Sequence, residues 1–177
     1  MSLNVRKTMM GAAEISPDRS QEYEAGAKER DVEWAVYAAA LLSLVAALIH
    51  LWATPEHFNS SWWGYGAFFV ATALAQGCLA IAVLRWPNTP VCVAGIIGNL
   101  AIIAMYVVTR TSGVPVGPEA GMIEDPGLLD MASMVAQVGI VIVLAALLGD
   151  LARRRMINAL FLVGAAAWLL KFMGFIY

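Results

Sequence analysis

The stretch Ile49-His50-Leu51-Trp52-Ala53-Thr54-Pro55-Glu56-His57-Phe58 ends the first long apolar run of the chain and opens into an aromatic, polar turn. It holds both histidines of the protein. The run before it is Trp34 to Ala53, and four more follow at 63–86, 90–109, 128–149 and 156–177. Each has the roughly 20 residues needed to cross a hydrocarbon core of about 30 Å. Backbone amides in hydrocarbon must be satisfied within the segment, and no short alternating segments of a β-barrel are visible, so the runs read as helices. The expected fold is all-α, a polytopic bundle of five transmembrane helices.

Composition agrees with this reading. The 177 residues are 60% hydrophobic and 14% charged, with a mean hydropathy of +0.72. An average soluble domain is about 45–50% apolar and about 25% charged. A soluble chain of this length has too little interior for so much apolar surface, so a lipid bilayer is the implied partner. The net charge of −2 argues against nucleic acid, which calls for a basic face. Cys78 and Cys92 both fall inside apolar runs and make no disulfide framework.

Residues 1–33 mix Arg6, Lys7, Arg19, Lys28 and Arg30 with seven acids and show little apolar periodicity. They are expected to form a polar tail, disordered to about residue 20 with a helical lead-in after it. No apolar core follows the first basic residues, so a secretory signal is not expected. Lysine and arginine fall in the tail, beside the Pro87-Asn88-Thr89-Pro90 turn at Arg85, and at Arg153-Arg154-Arg155; the alternate connections hold only Arg110. The positive-inside rule then places the N-terminus in the cytoplasm and Tyr177 outside, with Trp52, Trp62, Trp63, Tyr65 and Tyr106 at the outer interface. A plasma membrane, of the prokaryotic inner-membrane kind, is the expected location.

That topology assigns a depth to each polar residue. His50 lies about three residues inside the outer end of helix one, Asp130 opens helix four, Arg110 closes helix three, and Lys171 is six residues from the end of the chain. Gln76, Asn99 and Gln137 fall near the middle of their helices. Charges inside a membrane helix are costly and face protein partners or wet cavities, so Gln76, Asn99, Arg110, Asp130, Gln137 and Lys171 form a candidate ligand set. Each has a plainer reading too. Lys171 can snorkel to the interface, Asp130 can pair with Arg110 or Lys171 to fix packing, and the three amides can bond helix to helix. Gly64 to Gly66, Gly95 to Gly98, and Gly164 with its alanines permit close helix approach.

The connection from Arg110 to Gly127 is rich in glycine and proline and carries Glu119, Glu124 and Asp125. Its restricted backbone suggests an ordered outer cap over a pocket containing His50 and Gln137, or equally a plain solvated loop.

The sharpest chemical reading is a metal site. His50, Glu56, His57, Met131 and Met134 offer soft thioether and imidazole donors for a transition metal such as copper, or a His-carboxylate set for a harder ion. No strong metal signature is present, and Pro55 is expected to bend the chain between the histidines. Both histidines come from one stretch, which disfavours a bis-histidine haem, and the cysteines lie away from both, which disfavours nucleophilic catalysis. Two function classes follow. One is an accessory or structural subunit of a larger membrane assembly or homo-oligomer, with no clear catalytic set; the other is an outward-facing small-ligand or metal-ion binding, transport or sensing protein using His50 and His57.

Overall fold

A computed structural model of the chain describes residues 17–59 and 62–172, and their side chains apart from those of 17, 18, 20 and 166–172. The described residues form an all-helical fold of five helices: α1 (Pro17–Phe58), α2 (Trp63–Arg85), α3 (Thr89–Thr111), α4 (Leu128–Leu147) and α5 (Asp150–Phe172). The chain divides into two units, Met1–Glu33 and Trp34–Tyr177. In the first, the described residues form the polar portion of α1; the second contains the bundle.

Four of the helices, α1 to α4, are long and apolar enough to cross a membrane. Only 22% to 33% of the residues in their most apolar windows are buried by the rest of the chain. Leu41 and Leu48 of α1, Leu74 and Ile81 of α2 and Ile142 of α4 are each more than half exposed. An apolar face of that extent needs an apolar surround, which a bilayer supplies.

The inward faces explain how the helices approach. On α1 the buried positions are Ala39, Ala40, Ser43, Ala46, Ala47, His50 and Thr54, a three-and-four spaced stripe of small or polar side chains. On α4 they are Ser133, Ala136, Gln137, Ile140 and Leu144. Gly95 of α3 lies where a Cβ would come within 2.6 Å of Leu144 and 2.8 Å of Leu79, so α3 meets both α4 and α2 there through bare backbone. Ile96, Ile140, Leu144 and Val83 fill the core beside it.

Two boundaries differ from the sequence expectation. Helix one does not stop at Ala53: α1 runs through Pro55 to Phe58. Proline removes only its own donor, to Leu51 O, and nearby carbonyls are served by side chains, since Thr54 Oγ1 donates to His50 O at 2.8 Å and His57 Nδ1 to Ala53 O at 2.8 Å. His50 is therefore two turns inside the helix end. At the other end of the bundle the three arginines are not in a turn. The break is at Leu148 and Gly149, and Arg153 lies in the first turn of α5, bonded to Asp150 Oδ1 at 2.6 Å. The helix α5 begins with Asp150 and Arg153 to Arg155, and its side chains are described only as far as residue 165.

Candidate polar site between α1 and α4

The continuous α1 and the antiparallel α4 bring the site together. Asp130, Ser133 and Gln137 are spaced three and four residues apart, so one face of α4 carries all three. His50 presents its ring to that face. Gln137 Nε2 donates to Ser133 Oγ at 3.1 Å and lies 3.1 Å from His50 Nε2, and Ser133 Oγ is 3.3 Å from the same nitrogen. His50 is 6% exposed, Ser133 6% and Gln137 1%. The outer side of the imidazole packs edge-on against Phe69 of α2, with ring centroids 5.7 Å apart.

Two atoms of this cluster are left over. His50 Nδ1 and Gln137 Oε1 are buried and have no hydrogen-bond partner among the described residues; nor has Ser43 Oγ, two turns back along α1. With Gln137 Nε2 donating to His50 Nε2, Nδ1 carries the ring proton and is the unused donor, while Oε1 is the unused acceptor. Turning the amide over exchanges the two roles. The site thus offers one donor and one acceptor. Buried groups of this kind are nearly always paired, with protein, water or ligand.

One turn towards the α3–α4 connection the cluster becomes ionic. Arg110, at the end of α3, places Nη2 2.6 Å from Asp130 Oδ2 and bonds Glu124 through Nη1. Nη1 also donates to Thr109 Oγ1 at 2.7 Å, and the guanidinium lies 4.7 Å from the centroid of the Tyr106 ring. Asp130 Oδ2 also accepts from Gly127 N at 3.1 Å, closing the first turn of α4.

The connection itself is held by backbone bonds. Val114 N donates to Met122 O at 3.0 Å, Gly121 N to Val114 O at 2.9 Å, and Glu124 N to Thr109 O at 3.1 Å. Tyr65 of α2 pins its outer part: the phenol donates to Val116 O at 3.1 Å and accepts from Glu119 N at 3.2 Å. Gly117 sits against that phenol with φ +93, a backbone that only glycine adopts freely, and a Cβ there would stand 2.5 Å from Tyr65 Oη.

The candidate residues named from sequence divide into three groups. His50, Gln137, Asp130 and Arg110 lie along one continuous polar track. Gln76 and Asn99 form a separate pair between α2 and α3, at 2.8 Å. Lys171 is in α5, but its side chain lies outside the described residues. The set His50, Glu56, His57, Met131 and Met134 is not supported as a metal centre. Because α1 is unbroken, the two histidines are seven residues, or about 10 Å of rise, apart, against metal–nitrogen bonds of about 2 Å. His57 stacks on Phe69 at 3.8 Å, Glu56 is exposed, and Met131 is 56% exposed. Among the described residues no group of three or more His, Cys, Asp or Glu is placed to hold a metal ion.

Sequence reasoning missed three participants. Ser133 was legible, four residues before Gln137 on the same face. Phe69, which meets both histidines, and Tyr65, which ties down the loop, carry no local signal, since their roles depend on which helix faces meet. The chain matches no known protein-family model, no curated protein and no solved structure.

Proposed function

We propose that this chain is a membrane-embedded binding protein whose ligand is a small neutral molecule carrying a hydroxyl or amide group, held between α1 and α4. The observation that carries the reading is the pair of buried polar atoms His50 Nδ1 and Gln137 Oε1, which have no partner among the described residues. One donor and one acceptor on touching residues match the groups of a hydroxyl, an amide or water, and suit neither a bare cation nor an anion. Arg110, Glu124 and Asp130 form the ionic end of the track, where one guanidinium is shared between two carboxylates and leaves no unpaired cation.

The proposal includes five spans, α5 with Lys171 being the fifth, in a plasma membrane of the prokaryotic inner-membrane kind. The N-terminus is cytoplasmic, residues 1–33 form a cytoplasmic tail, and the 110–127 loop and Tyr177 are outside. Arg85 and Arg153 to Arg155 support this orientation, and the exception, Arg110, is paired with two carboxylates.

Histidine-selective 15N labelling tests the ligand reading directly, because the chain has 2 histidines. Acetamide is the probe. Its addition should move the His50 ring signals of the wild type and leave His57 in place, and Gln137→Leu should remove the response. No acetamide-dependent change at His50 rejects the reading. A second reading, an accessory subunit docking through the loop, is favoured by the exposed apolar side chains Val116, Met122, Ile123 and Leu128, which are 57% to 85% exposed. It predicts a cross-linked partner that is lost in Met122→Ser/Leu128→Ser.

A further inference from the structure

One face of α4 is an unbroken apolar stripe. Leu128, Met131, Val135, Val138 and Ile142 follow one another at spacings of three and four residues, and each is exposed. Asp130, Ser133 and Gln137 occupy another face and turn to α3 and α1. Because α4 is long and apolar enough to cross a membrane, the stripe is a surface that lipid covers. It starts at the first residue of the helix, Leu128, which is 85% exposed. The lipid-facing surface therefore reaches the α3–α4 connection.

The connection returns to the same depth. Glu124 N donates to Thr109 O at 3.1 Å and its carboxylate bonds Arg110, so the chain at 122–124 runs beside the last turn of α3 instead of above it. Val107 and Val108 at that level are exposed apolar side chains, and so are Met122 and Ile123. The polar atoms of the segment are largely used within the protein. Gly121 N donates to Val114 O at 2.9 Å, Met122 N to Glu119 O at 2.9 Å and Gly127 N to Asp130 Oδ2 at 3.1 Å, while Pro126 has no amide hydrogen. Non-helical backbone meets the apolar part of a bilayer at low cost only when its donors are satisfied in this way.

We infer that Met122 and Ile123 are immersed in the lipid leaflet around this end of the bundle, extending the α4 stripe beyond Leu128, so that the connection is a strap anchored in the membrane. Lipid is the partner because the patch continues a face that already requires it and lies level with the last turn of α3. The backbone bonds of the segment keep the two side chains from withdrawing. Apolar side chains of interfacial segments reach about 5–10 Å into the boundary between headgroups and acyl chains. The exposed carboxylate of Asp125, two residues on, belongs at the headgroup level. Met122, Ile123 and Leu128 are then covered with no docked subunit.

The test is a depth measurement on the full chain in phosphatidylcholine vesicles. Nitroxide labels are placed through Met122→Cys, Ile123→Cys and, as a reference on the α4 stripe, Val135→Cys, each in a Cys78→Ser/Cys92→Ser background. Depth is read from collision rates with oxygen and with a water-soluble nickel complex, calibrated by lipids labelled at the headgroup and along the acyl chain. The labels at 122 and 123 should lie at or below the phosphate level, and the label at 135 deeper. Hydroxyl-radical footprinting of the unsubstituted chain checks the same point without a variant: Met122 should be protected in bilayers as Met105 of α3 is. Labels at 122 and 123 that meet the nickel complex as freely as in water overturn the inference, and so does Met122 oxidised as fast as in the unfolded chain. Labels exposed to water in pure lipid but protected in the source membranes identify a docked protein and overturn it equally.

Discussion

Replacing Arg110 by methionine keeps the length of the side chain and removes its charge, and its cost follows from four contacts. The guanidinium bonds Asp130 and Glu124, donates to Thr109 and lies over Tyr106. The arginine side chain is 16% exposed, but Asp130 and Glu124 are 35% and 40% exposed. Hydrogen bonds to charged groups contribute roughly 1.5–3 kcal/mol each when shielded, while exposed ion pairs contribute about 0–1 kcal/mol. Solvent screening at the carboxylates places each pair near the lower range, so two pairs and the residual repulsion of two uncompensated acids amount to about 2 kcal/mol. The assay is equilibrium unfolding in mixed micelles, followed by helical circular dichroism. Arg110→Met should lose about 2 kcal/mol, and Arg110→Met/Asp130→Asn less than the sum of its single variants, because removing one partner already breaks the pair. A loss below about 0.5 kcal/mol, or strict additivity, refutes the assignment of Arg110 as the tie between α3, α4 and the loop.

Other residues give sharper local effects. Gly117→Ala combines a left-handed backbone, which costs an L-residue roughly 1–2 kcal/mol, with a Cβ directed at Tyr65; limited proteolysis should show faster cleavage between 113 and 122, and unaltered cleavage speaks against this loop geometry. Tyr65→Phe deletes both bonds of the phenol and should speed hydrogen exchange at the Glu119 amide about tenfold, corresponding to a net loss of roughly 1–1.5 kcal/mol. An unchanged Glu119 amide contradicts the pin.

The helical class was legible because apolar runs of span length leave few alternatives, and the ends of α2, α3 and α4 fell close to the runs. The end of α1 was not. Pro55 reads as a stop, yet near a helix end it forfeits one backbone bond, and Thr54 and His57 serve adjacent carbonyls. The start of α5 was hidden for the opposite reason, since hydropathy cannot register a helix that begins with Asp150 and three arginines. In the site, His50, Asp130 and Arg110 could be named as polar groups near the outer helix ends and Gln137 as one nearer mid-helix, but pairing them needed the rotation of α1 against α4. That rotation is set by the small stripe from Ala39 to Ala47 and its fit against Gly139, where a Cβ would stand 3.0 Å from Leu42. A metal set was read from residue types alone, and an unbroken α1 spaced its histidines two turns apart.

The contact on which the account rests is that between His50 and Gln137 inside the bundle. The most direct measurement is the 15N spectrum of the two imidazoles in lipid bilayers, for wild type and Gln137→Leu, with His50→Ala assigning the peaks. The account predicts that Gln137→Leu shifts the His50 ring nitrogens, Nε2 most, and leaves the ring stacked on Phe69 unchanged. Identical His50 signals in wild type and Gln137→Leu contradict it.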